Sequence, residues 1–175
     1  IAGARLDIHN EFGAKFTPRT LLKYDLSARA TMRANIGKGW RTANLFSENI
    51  NLLVSSRDII FEEELLPEEA LNYGINFIQK FGQSNLTGTV SADFYRTEFK
   101  NQIFPDYDTE STKAIIKNFN GTSIGNGFQA ELNLKIWERF DLKTGYNYLD
   151  VFREIGETKE VLPFNAKHKV LLAFS

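Results

Sequence analysis

The residues able to do chemistry in this sequence are few, and they are better suited to binding charge than to making or breaking bonds. There is no cysteine, which removes disulfides, zinc ribbons and thiol nucleophiles. His9 and His168 fall on different predicted strands without a partner motif, so neither a metal centre nor a proton relay is expected. No acid, base and nucleophile converge on one element, and the expectation is no enzyme, no cofactor and no metal. The densest charge, Asp58, Glu62, Glu63, Glu64, Glu68 and Glu69, lacks the ligand spacing and turn glycine of a calcium loop and reads as a solvated loop or short helix start. Gly37-Lys38-Gly39 is no phosphate loop, because Gly-Lys-Ser/Thr after four spacer residues is missing. Asn85-Leu86-Thr87 and Asn120-Gly121-Thr122 match a glycosylation acceptor, a pattern too short to assign. What remains are guanidinium groups. Arg41, beside Trp40 and followed by Asn44 and Glu48, suits a charge-assisted brace to Glu48, and Arg29 and Arg33 stand on the polar side of a strand.

The elements that must hold these residues show themselves by alternation. Phe128, Ala130, Leu132, Leu134 and Ile136 alternate with Gln129, Glu131, Asn133 and Lys135, the period of a strand with one apolar face. The same pattern recurs in 28–36, 71–81 and 164–174, opens at Leu142, Tyr146 and Tyr148, and is weaker in 2–9 and 16–24. A longer segment, 86–103, flips phase near Phe94, which predicts a β-bulge or an exit from the apolar layer. The sum is an all-β, antiparallel up-and-down meander of about eight strands. Asp25–Ser27, Gly82–Asn85 and Glu138–Asp141 are tight turns. The connections between them, Asn10–Lys15, about 37–69, one starting near Phe104, and Arg153–Pro163, are mostly longer. Segregation of short turns from long loops by end is the habit of outer-membrane barrels.

Composition agrees. Aromatics make up 13% of the chain, a level suited to strands and membrane interfaces. No apolar run approaches the roughly 18 residues that a membrane-crossing helix needs. The 21 basic residues against 22 acidic argue against a nucleic-acid partner. With the apolar faces toward lipid, the opposite faces carry Arg5, Asp7, Arg19, Lys23, Arg29, Arg33, Asp93, Glu131, Lys135 and Lys143, an interior that requires water or a polar plug. A soluble sheet with one covered face gives the same alternation, and both readings stay open on pattern alone.

Three segments resemble the TonB-dependent outer-membrane receptors. Trp40, Arg41, Asn44, Leu45, Phe46 and Glu48 match the family's aromatic-Arg-x-x-Asn/Pro-Leu/Phe-x-Glu pattern after a strand ending in glycine. Leu65-Leu66-Pro67-Glu68 looks like its Leu-x-Pro-Glu segment, and Phe94-Tyr95 through Ile103 its next strand. Gly127-Phe128-Gln129-Ala130-Glu131-Leu132 continues the likeness. The resemblance implies that 1–175 is a fragment of the receptor β-barrel domain, without plug domain or terminal strands, from a barrel of about 22 strands. It also implies a location in the outer membrane of a Gram-negative bacterium, with long external loops, short periplasmic turns and TonB-energised uptake of a siderophore, cobalamin or carbohydrate. The implied partners are the small-molecule ligand, lipid, the plug in the lumen and, through the plug, the TonB complex. Arg41, Asn44, Glu48, Arg29 and Arg33 become candidate loop or lumen positions. The alternative is an independent small outer-membrane barrel or a soluble β-sheet adhesion module. The open edges of such a fragment are expected to pair with a neighbouring chain.

Overall fold

The structure is a computed structural model and describes residues 1–48, 50, 54–107, 109–137, 139–156, 158–161 and 166–175. In chain order its strands are β1 (Ala2–His9), β2 (Gly13–Ser27), β3 (Ala30–Arg41), β4 (Asp58–Phe61), β5 (Glu68–Gln83), β6 (Leu86–Lys100), β7 (Ile103–Asp106), β8 (Lys113–Asn118), β9 (Thr122–Ile136), β10 (Phe140–Ile155), β11 (Thr158–Val161) and β12 (His168–Phe174). One helical turn, α1 (Leu45–Glu48), follows β3. The long strands β1-β2-β3-β5-β6-β9-β10 form an antiparallel wall, with β11 and β12 placed end to end along the far side of β10. The sheet is open, and the eight predicted strands are its long members. Phe164 and Asn165, assigned to the last strand, lie outside the described residues, as do Asn49, Glu138 and Pro163 of the predicted connections.

The wall sorts its side chains by face. Leu22, Ala34, Ile75, Phe94, Phe128, Tyr148 and His168 form one cross-strand row. The neighbouring row, on the other face, is Lys23, Arg33, Asn76, Asp93, Gln129, Asn147 and Lys169. The apolar face lies open over most of the wall, with Leu22 64% and Leu172 72% exposed. An exposed apolar patch of that extent is stable against hydrocarbon rather than water. On the polar face Arg33 donates to Asn76 Oδ1 at 3.1 Å and Asn76 donates to Asp93 Oδ1 at 2.7 Å, so charged and amide groups satisfy one another along the row. Tyr95, on the same face, lies flat over Gly127, where any Cβ would collide with its ring.

Three connections at one end are minimal: Ala28–Arg29, Ser84–Asn85 with Ser84 at φ 28°, and the turn around Trp137 at φ 50°. At the other end 42–67, 101–121 and 156–167 are long. The exception is the first connection. It was expected to run from Asn10 to Lys15, but it closes over Asn10–Phe12 because His9 Nδ1 accepts from the backbone N–H groups of Glu11 and Phe12 and Gly13 takes φ +67°.

Two expectations need correction. β6 pairs with β5 and β9 without a register shift, so the phase flip at Phe94 is no bulge. Beyond Phe94 the positions on the same face are Arg96 and Glu98, bonded to each other at 2.8 Å, and the strand has left the apolar layer. Ile103, expected on that strand, opens β7 instead. The acidic stretch is neither solvated throughout nor helical: Asp58 opens β4, and Glu68, only 4% exposed, opens β5. β4 pairs parallel with β8, and β8 antiparallel with β7. This second sheet holds the fully buried Ala114 and Ile116, packed by Ile59, Leu65, Ile103 and Tyr107.

Candidate functional site

The candidate site is the loop-side rim of the polar face. β3 and β5 keep one register from Ala30↔Gln79 to Arg41↔Glu68, which delivers a guanidinium and a carboxylate to facing positions at the top of the wall. Arg41 Nε donates to Glu68 Oε2, and its Nη2 reaches Glu48 Oε2 at 3.1 Å. The bond to Glu68, ahead of burial, raises the Arg41 pKa further. The other oxygen of Glu68 accepts the backbone N–H of Ile103 at 2.8 Å, so one buried carboxylate ties β3 to the start of β7. Glu48 also accepts from the backbone N–H of Asn44 at 3.3 Å, and Asn44 Oδ1 accepts from Ser47 N at 3.4 Å, which caps α1.

Neighbouring contacts bind the long loops into one body. Asn118 exchanges bonds with the backbone of Leu66, accepting at 2.7 Å and donating at 3.0 Å, and donates to Asn101 O at 2.6 Å. Arg57 donates to Ser111 O at 3.0 Å and covers the ring of Tyr107. On β10, Asp150 meets Lys159 at 3.0 Å and Lys167 at 3.3 Å, fastening the last loop. Burial pushes its carboxyl up, but the two lysines together hold it below the usual range. Between β2 and β3 the ladder stops at Arg19↔Gly37, next to Pro18, which has no N–H to give. Side chains bridge the gap: Trp40 Nε1 donates to Asp7 at 3.0 Å, and Glu69 binds Lys38 at 2.8 Å and Lys15 at 3.0 Å.

Of the five residues singled out from the sequence, the structure brings Arg41, Asn44 and Glu48 together. Arg33 sits lower, in the polar row, and Arg29 lies exposed in the two-residue turn at the opposite end. Sequence reasoning missed Glu68, Asn118 and Asp150. Glu68 was legible in one respect, since continuing the β3–β5 register to its end names it as the partner of Arg41. Among the described residues no group of His, Cys, Asp or Glu is placed to hold a metal ion.

The family profile described as TonB dependent receptor-like, beta-barrel matches residues 1–174. The chain belongs to this family. It is 24% identical to the ferric enterobactin receptor PirA of Pseudomonas aeruginosa, over 92% of the chain and 24% of that protein. Its fold resembles the pyoverdine outer membrane receptor FpvA from P. aeruginosa PAO1 (TM-score 0.63, 16% identity, 93% of this chain, 22% of that one). It also resembles the crystal structure of the siderophore receptor PirA from P. aeruginosa (TM-score 0.62, 18% identity, 90% of this chain, 34% of that one). The chain thus spans about a quarter of its curated relative. The barrel wall, with its lipid-side and lumen-side faces, is that of a TonB-dependent receptor.

Proposed function

We propose that the protein containing this chain is an outer-membrane receptor that takes up a ferric siderophore, with energy delivered by the TonB complex through a plug domain seated against the polar face. The observation that carries this reading is the match of the receptor barrel family over residues 1–174. The geometry supports it: an apolar face suited to lipid, a polar face suited to a water-filled or plugged lumen, and a braced loop body over the rim. The relatives named above are receptors for enterobactin and pyoverdine, which favours a siderophore over cobalamin or a carbohydrate. Arg41, Glu48 and Glu68 hold the rim in shape, Arg33 lines the lumen, and no enzymatic step is part of the reading. The test is uptake of radiolabelled iron by receptor-deficient, iron-starved Gram-negative cells expressing the full-length protein. Siderophore-dependent uptake that vanishes when TonB is deleted is the expected result; uptake indifferent to TonB, or none with any siderophore, overturns it.

A further inference from the structure

The pairing between β2 and β3 ends in mid-strand. Below Arg19↔Gly37 the two strands form one ladder; above it β2 runs on to Gly13 and β3 to Arg41 without a further pair. Leu21 exchanges both backbone bonds with Ile1, so the odd-numbered residues of β2 turn toward β1 and the even-numbered ones toward β3. Pro18 is therefore the residue placed to donate next to β3, and it has no N–H. Beyond it, Phe16 and Ala14 on β2 and Trp40 on β3 turn their backbone groups into the gap and meet no ladder partner. Two glycines record how far the strands part. A Cβ on Gly37 would meet Arg19 Cβ at 3.4 Å, whereas one on Gly39, two residues higher on the same face, would meet nothing within 4 Å. Between the edges lies a cleft of about 360 Å³, lined by Phe16, Thr17, Pro18, Lys38 and Trp40.

The height of the gap decides what it can do. Lys38, the first residue of β3 above the ladder, stands in the row of Leu71 and Glu98, where the strands have left the apolar layer. Open backbone groups are excluded from hydrocarbon but not from water, so the edges are free to move apart there. Side chains alone span the gap: Trp40 Nε1 donates to Asp7 at 3.0 Å, the His9 ring stands edge-on to Trp40 at 5.8 Å between centroids, and Lys15 meets Glu69 at 3.0 Å. Partly exposed contacts of this kind compete with water and hold less firmly than a ladder. The hairpin tip is not packed onto the loop body either, because a cavity of about 240 Å³ separates His9 and Phe12 from Thr42, Leu65 and Leu66.

We propose that this parting is a hinge in the barrel rim: the β1–β2 hairpin above Pro18 swings relative to β3, and the Asp7–Trp40 and Lys15–Glu69 contacts are its latch. The rim widens on this side while the ladder below Gly37 stays closed. Glu69 belongs to the fixed half, since it also holds Lys38 of β3 at 2.8 Å. The inference goes beyond the uptake reading and does not depend on it.

The experiment is a distance measurement by double electron–electron resonance on the full-length receptor in detergent, without ligand. Nitroxide labels are placed at Glu11, in the hairpin turn, and at Leu71 on β5. The unaltered receptor should give one narrow distribution. Trp40→Phe combined with Lys15→Gln removes both latch donors and should add a second population longer by ~5 Å, one strand spacing. Asp7→Ala, which leaves the Trp40 ring in place, should add the same population in smaller amount, so the proposal is tested even if the double variant fails to assemble. Lys15→Arg, which keeps the charge, should leave the distribution narrow. A control pair at Leu71 and Leu132, both on fully laddered strands, should not change in any variant. An unchanged Glu11–Leu71 distance in the latch variants would mean that backbone pairing alone fixes the hairpin, and equal broadening of the control pair would mean that the whole wall loosens. Either result overturns the hinge.

Discussion

In the wall, Ile75, Phe94 and Phe128 stand side by side on β5, β6 and β9 with 45%, 45% and 38% of their surface open. In the loop sheet, Ala114 and Ile116 on β8 are fully enclosed. Both regions are β-sheets of one chain, yet they are stabilised from opposite sides. The wall is a ladder of backbone bonds whose apolar side chains are left uncovered by the protein and, on the proposed reading, meet lipid. The loop sheet has no lipid to lean on and buries its apolar groups in itself. Membrane barrels thus keep two rules of side-chain placement in one molecule, and the boundary between them falls near Phe94, where the lipid-side positions turn to Arg96 and Glu98.

The comparison breaks most sharply at Ile116. Ile116→Ala removes the largest fully buried side chain of the loop sheet and should cost it about 2–5 kcal/mol. Limited proteolysis should then cut within 103–118, while heat-modifiable migration of the barrel stays as in the unaltered protein. A variant whose barrel also failed to assemble would show that the loop sheet and the wall are one cooperative unit.

The reciprocal change is Leu132→Arg, on the lipid side of β9 opposite Val90 and Thr144. Arginine facing the bilayer interior costs roughly 2–4 kcal/mol near the midplane, so assembly yield should fall while the loop sheet of assembled molecules keeps its protease resistance. Spin labels at Leu132, Leu134 and Ile136 should be open to dissolved oxygen, and labels at Glu131 and Lys135 should not. Reversed accessibility would invert the two faces.

The wall was legible in the sequence because a strand with one apolar face writes a period of two, and Phe128–Ile136 writes it without a break. The loop sheet was not. Its strands β4 and β7 have four residues each, too few for a period, and Ile115-Ile116 is a double apolar step that fits no alternation. Arg41 and Glu48 could be named because the family pattern carries them within one short segment. Glu68 reaches the rim only through strand pairing, and a charge count over 58–69 treats a buried carboxylate like its solvated neighbours.

Arg41 tests how far the two regions depend on each other, because it stands on β3 of the wall and holds loop residues through Glu48 and Glu68. Arg41→Ala leaves the buried Glu68 with a backbone donor alone. Losing a charged hydrogen bond costs about 1.5–3 kcal/mol, and since Arg41 itself is 58% exposed the lower end is expected. Glu68→Ala added to Arg41→Ala should cost less than the two single changes summed, since each removes the same bond. Strict additivity, measured by protease protection of the loops, would show that the brace carries no coupling.

The smallest effect concerns the last loop, where Asp150 is 12% exposed in its side chain and its partners Lys159 and Lys167 are about half exposed. Its carboxyl titrates below the ordinary 3.8, so the folded loop binds fewer protons than the detached one. The stabilisation is therefore fully present above that value and is lost as the pH falls through it toward the lower folded pKa. Because the lysines are open to water, the contribution is about 1 kcal/mol or less and is weakened by salt. Hydrogen exchange in 158–161, corrected for its intrinsic pH dependence, should give the same opening equilibrium at pH 7 and pH 5.5 and a larger one at pH 3. Asp150→Asn at pH 7 should open at least as readily as the parent does at pH 3, and lose any further pH dependence there. An Asp150→Asn protein that still loosens between pH 5.5 and pH 3 as much as the parent would place the acid-sensitive group elsewhere. The loop would then be held by its backbone pairing to β10, as the wall is, and not by side-chain clamps.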